Sequence, residues 1–192
     1  GRIMEMVERE LERVALFHTG SDDESRWNLE EIYEVAGTIF PIAPDARKKL
    51  QMLEAQAGDK LADARAREEI IKYLVSLAET AYSSLEAKID SVSNERGATR
   101  QVEVALSLRA IDTLWIEHLD AMEHLRTGIG LRGYGQKDPL IEYKRESYRL
   151  FNELLELIEK QIVYSIYKVG PAETASPFAR SGIRFQAPPK VM

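Results

Sequence analysis

Residues 98–127, ATRQVEVALSLRAIDTLWIEHLDAMEHLRT, decide the fold. Within them Val104, Leu108, Ile111, Trp115, His118, Met122 and Leu125 recur at alternating steps of four and three. That is the period of a helix with one apolar, coiled-coil-like seam. At ~1.5 Å per residue the predicted helix is about 45 Å long. The next stretch, Gly128 to Lys137, holds four glycines and no apolar period, and predicts a flexible tip. Asp138-Pro139 then restarts a helix, with an N-cap followed by proline at the first helical position. Leu140, Tyr143, Ser147, Leu150, Leu154, Ile158 and Ile162 stripe this second long helix to about Lys168. Two long helices joined by so short a tip must turn back on each other as an antiparallel hairpin.

Shorter helices precede the hairpin. Ile3, Val7, Leu11, Val14 and His18 form the apolar stripe of a first helix, which reads as the end of something longer. A polar loop spans Thr19 to Arg26, and Asn28 with Glu31 makes a capping pair for a short helix through Leu29, Ile32, Val35, Ala36 and Ile39. Pro41 stops it. Pro44 restarts the chain into a helix from Asp45 that turns Ala46, Leu50 and Leu53 inward, broken at Gly58-Asp59. Ile71, Leu74, Ala78, Tyr82, Leu85 and Ile89 stripe the next, which ends at residues 91–97. From Gly170 onward four prolines and two glycines without a period predict a flexible linker. No strand alternation persists. The predicted class is all-α: a long antiparallel helical hairpin plus a small cluster of shorter helices.

Composition narrows the function. The 192 residues are 44% hydrophobic and 30% charged, enough for a packed core, and the net charge is −6. That balance disfavours a nucleic-acid binder. With no cysteine, thiol catalysis, disulfides and cysteine-bearing zinc sites are excluded. No uninterrupted apolar run reaches the ~18 residues that cross a bilayer, so membrane contact is expected to be peripheral or through a partner.

Candidate chemistry is sparse. Gly128 to Gly133 spells G-x-G-x-x-G, but a helix precedes it where a dinucleotide loop needs a strand. His118 and His124 are six residues apart and point about 120° away from each other on a helix, so they cannot share a metal. The pairs Glu30-Glu31 and Glu68-Glu69 read as solvated helix faces. No catalytic constellation is present, and the chain alone is expected not to be an enzyme. One local feature stands out. From Arg126 to Arg149, six basic residues face three acidic ones, a local +3 that leaves −9 elsewhere. This basic segment coincides with the glycine-rich tip, where Tyr134 lies between Gly133 and Gly135 and is expected to be exposed.

The stretch 114–151, LWIEHLDAMEHLRTGIGLRGYGQKDPLIEYKRESYRLF, closely resembles the helical scaffold of the SecA preprotein translocase motors. The resemblance lies in Trp115-x-x-His118-Leu119, Gly128-Ile129-x-Leu131-Arg132, Gln136-Lys137-Asp138-Pro139 and Glu142-Tyr143-Lys144-Arg145-Glu146. Upstream, MVERELERV (6–14) and WNLEEIYEVAGTIFPI (27–42) are similar in order and spacing to the end of the long scaffold helix and the start of the helical wing. The resemblance implies four parts: residues 1–18 end the scaffold helix, 19–97 form the wing, 98–169 form a two-helix finger, and 170–192 are a linker. It implies that Arg132, Gly133, Tyr134, Gly135, Gln136 and Lys137 form the finger tip. That tip would contact the SecYEG channel and the unfolded preprotein, while Trp115, His118, Met122 and Leu125 form a structural seam. Gly135 stands where alanine is common in the family. The remaining SecA domains are implied as partners, with ATP and magnesium bound there and no cofactor or metal in this chain. The same region is implied to regulate the motor's ATPase, at the inner face of the bacterial plasma membrane on the cytoplasmic side. The rival expectation is a free-standing helical adaptor that borrows the finger motif.

Overall fold

Helical periodicity in the sequence becomes six helices, with no strand among the described residues, so the all-α class holds. The computed structural model describes residues 1–20, 27–58, 60–93, 97–132 and 138–169. Helix α1 (Arg2–Thr19) buries Ile3, Val7, Leu11 and Val14 on one stripe, joined by Ala15. Its end is closed by side chains. Thr19, expected in the loop, is the last helical residue and is buried, its hydroxyl donating to the Ala15 carbonyl at 2.6 Å. Arg67 reaches over from the fourth helix, donating to the Thr19 hydroxyl at 2.6 Å and to its carbonyl at 2.8 Å. A cation there satisfies carbonyls that the helix cannot and complements its dipole. The Asn28 N–H donates to the His18 carbonyl at 3.1 Å and brings the chain back beside α1.

Helix α2 (Leu29–Ile39) begins as its sequence predicts, the Glu31 N–H donating to Asn28 Oδ1 at 3.2 Å. The return half of a capping box is replaced, because the Asn28 N–H is already bound to His18. Leu29, Ile32, Ala36 and Ile39 face inward, and α3 (Asp45–Glu54) adds Ala46, Leu50 and Leu53. Helix α4 (Lys60–Ser93) buries Ala66, Ile70, Leu74, Ala78 and Tyr82. Ile70 replaces the expected Ile71. Four consecutive steps of four overshoot a full turn by about 40° each, so the buried line winds around the helix. That winding lets α4 pass along α3, then α1, then the fifth helix.

Helix α5 (Ala98–Arg132) and α6 (Pro139–Ile166) are the predicted hairpin. Asp138 caps α6, accepting from the Leu140 N–H at 2.8 Å. His118 meets Phe151, at nearly equal distances back along each helix from the turn, as an antiparallel pair requires. The main core gathers α1 to α4 with the last turns of α6, where Ile162, Val163 and Ile166 are buried. Tyr167 seals it, its ring 5.8 Å from Phe40 and 6.1 Å from Tyr82 and its hydroxyl donating to the Ala78 carbonyl at 3.1 Å. Burial raises the phenols of Tyr82 and Tyr167, and that of Tyr164 to about 12, so all three stay donors at neutral pH. On α5 this core reaches as far as Ala110 and on α6 it begins at Ile158, leaving everything between as a two-helix arm.

Candidate functional site: a two-helix arm without a third layer

Among the described residues the arm has one packing partner per helix, and its burial follows from that. Two helices lying side by side each cover one narrow stripe of the other. On α5 the covered line is Leu106, Ala110, Leu114, His118, Ala121, Leu125 and Ile129, buried at Ala110 and half-covered at the rest, with Met122 beside it. Val104, Leu108, Ile111 and Trp115, expected in the seam, fall on the neighbouring face instead. With Leu119 they form an open stripe whose members range from 40% exposed at Ile111 to 51% at Leu119. Trp115, expected to pack in the seam against α6, is 44% exposed. Its indole lies 5.5 Å from the His118 ring, which in turn meets Phe151 edge-on at 6.2 Å. His118 is the half-buried middle of an aromatic stack, and Met122 and Leu125 sit half-buried one and two turns further along. Leu140, expected in the α6 stripe, is exposed.

Helix α5 also runs further than its sequence suggests. It continues through Gly128 and Gly130 to Arg132, so the flexible tip expected from Gly128 is helical over its first half. Each glycine costs a helix about 1 kcal/mol relative to alanine. A helix already nucleated over thirty residues adds a hydrogen bond with every further residue, which offsets that cost. The helical path also removes the nucleotide-loop reading over Gly128 to Arg132, because helical N–H groups there are directed at carbonyls one turn back rather than at a phosphate. Gly133, Tyr134, Gly135, Gln136 and Lys137 lie outside the described residues, as does the Arg132 side chain.

Three of the six basic residues near the tip are paired along their own helices. Arg126 binds Glu123 at 2.7 Å, Arg145 binds Glu142 at 2.7 Å, and Arg149 binds Glu146 at 2.8 Å as well as Glu153. The Arg126 hydrogen bond holds the Glu123 carboxyl below its usual range, and Glu146 raises the Arg149 guanidinium. The Arg126–Glu123 pair is exposed on both sides, whereas Glu142 is buried and Glu146 largely covered. Glu30 binds Arg47 at 2.5 Å, while Glu68 and Glu69 bind Lys72 at 2.7 and 3.5 Å, so these acidic pairs are solvated helix faces. His124 is exposed whereas His118 is in the stack, and no group of three metal-ligating side chains occurs among the described residues. What the arm offers is contact surface: an open apolar stripe on α5. Reading the sequence missed that stripe because α5 is apolar on two faces and periodicity alone does not choose between them. The alanines at 110 and 121, small residues that let α6 approach, were the available signal.

Residues 1–170 match the family described as the SecA Wing and Scaffold domain. The protein translocase subunit SecA of Dehalococcoides mccartyi is 38% identical over 167 residues, covering 87% of this chain and 16% of that protein. The SecA subunit of Synechococcus elongatus is 36% identical over 180 residues, covering 93% of this chain and 18% of that one. The chain therefore spans less than a fifth of the length of these curated relatives.

Proposed function

The chain belongs to the SecA wing and scaffold family, and from that premise we propose that it is the wing-and-scaffold part of an ATP-driven protein translocation motor. Residues 1–18 and 98–169 are its scaffold and residues 19–97 its wing. The arm of α5 and α6 is the finger. The observation that carries this reading is the open stripe of Val104, Leu108, Ile111, Trp115 and Leu119. A helix apolar on a second face needs a second partner, and five large side chains aligned on one helix are more than scattered surface residues. The remaining SecA domains are that partner, and contact along the stripe is the route by which the arm regulates the motor's ATPase.

The far end of the arm then faces outward. Arg132 to Lys137 meet the cytoplasmic mouth of the SecYEG channel, and Tyr134 touches the unfolded preprotein. A phenol has few rotors and an amphipathic face, which suits transient contact with any passing sequence. The chain does no catalysis itself, since ATP and magnesium belong to the rest of the motor. Its place is the cytoplasmic side of the bacterial plasma membrane, held there through partners. No helix among the described residues is long and apolar enough to cross a bilayer.

The test restores the chain to a full-length motor. Tyr134→Ala should lower preprotein translocation several-fold and Tyr134→Phe should retain it, with the thermal melt of the chain unchanged by either. Wild-type translocation by the alanine variant would overturn the assignment of the tip.

A further inference from the structure

We propose that Gly97 and the Tyr82–Glu103 hydrogen bond form a joint that sets the angle between α4 and the arm. Two long helices leave this point in different company: α4 runs back into the main core beside α1, and α5 runs out into the arm. Between them the apolar grip is thin. At the turn it consists of Ile89, Ala98 and Val102, with Val169 at its edge and Leu85 shared with the main core. Two of its three buried members are small, so it leaves the relative tilt of two long helices weakly determined.

Two features compensate, and they have opposite characters. Gly97 lies at the turn with φ +84°, in the left-handed region that other residues adopt at a cost. A Cβ placed there would meet nothing within 4 Å, so the requirement for glycine comes from the backbone and not from crowding. This is the hinge. One and a half turns into α5, Glu103 accepts the Tyr82 hydroxyl from across α4. Arg100 holds the other carboxylate oxygen at 2.5 Å, which fixes where Glu103 points. Tyr82 is itself buried, with Tyr167 packed edge-on against its ring. A directional, charge-assisted bond between two oriented side chains tolerates little change of angle. This is the stop. Tyr167 also bonds the Ala78 carbonyl, so the end of α6 is tied to the same stretch of α4 that carries Tyr82.

The chain has no cysteine, so spin-label pairs can be introduced at chosen sites without removing any native thiol. One pair, Arg65→Cys in α4 with Glu117→Cys in α5, reads the joint. A second, Glu117→Cys with Lys144→Cys, reads the arm alone, and all these sites are exposed. Tyr82→Phe, which keeps the ring, should broaden the α4–α5 distance distribution about two-fold and leave the arm pair as it was. Glu103→Gln, which can still accept the hydroxyl but loses charge assistance and the hold of Arg100, should broaden it less. An α4–α5 distribution unchanged in both variants would overturn the proposal. Equal broadening of the two pairs would overturn it as well, because that result is general loosening and not motion at a joint.

Discussion

The root of this molecule and its arm are built from similar sequence, long helices with apolar residues every three or four positions, yet they bury those residues very differently. At the root, Leu74 of α4 has α1 against it and α3 and α5 further along the helix, and no part of it reaches solvent. In the arm, Trp115 has α6 on one side and leaves 44% of itself exposed. Apolar periodicity therefore states what a helix can bury, and the number of neighbouring layers decides what it does bury.

The contrast can be broken most forcefully at the root. Leu74→Ala should destabilise the chain by about 2–5 kcal/mol, the cost of a cavity in a site closed on all sides. Chemical denaturation would check it, and a loss below about 1 kcal/mol would mean that the core at this point can collapse around the gap. Trp115→Ala should cost less, about 1–2 kcal/mol, because only part of the indole is removed from water. A loss as large as that of Leu74 would place a further layer on the arm. The smallest effect is expected at the arm's end and has the opposite sign. Gly128 and Gly130 are helical, and a Cβ at either meets nothing within 4 Å. Replacing either by alanine should stabilise the last turns of α5 by about 0.4–1 kcal/mol, seen as slower amide exchange there. Unchanged exchange would show that these turns are already held by something other than their own propensity.

The same contrast explains what was legible in the sequence. Helices α1, α2 and α3 could be read almost residue by residue, since each has one apolar stripe and one neighbourhood to put it in. The Asn28 and Asp138 caps were legible too, because a short polar side chain before a helix has few other partners. The slip from Ile71 to Ile70 on α4 arose where a winding buried line departs from the ideal period. On α5 the open stripe of Val104, Leu108, Ile111 and Trp115 is larger and more apolar than the true seam of Leu106, Ala110, Leu114 and His118. A reading that weighs size selects the wrong face. Packing selects the smaller side chains, because they let α6 come close. The helical state of Gly128 and Gly130 was not legible, because it depends on the thirty residues before them.

The Tyr82–Glu103 bond stands near one end of a long rod, and that position turns angle into distance. Beyond Glu103, α5 extends for about 43 Å, so a tilt of about 6° at the bond carries Arg132 through about 4–5 Å, close to the pitch of one helical turn. A change too small to disturb any residue of the core is thus large enough at the other end to exchange one set of neighbours for the next. Seen as a lever, the molecule places its fulcrum where packing is thin and its longest moment arm where the tip residues are. A small drift in that phenol–carboxylate contact is therefore felt most at Arg132.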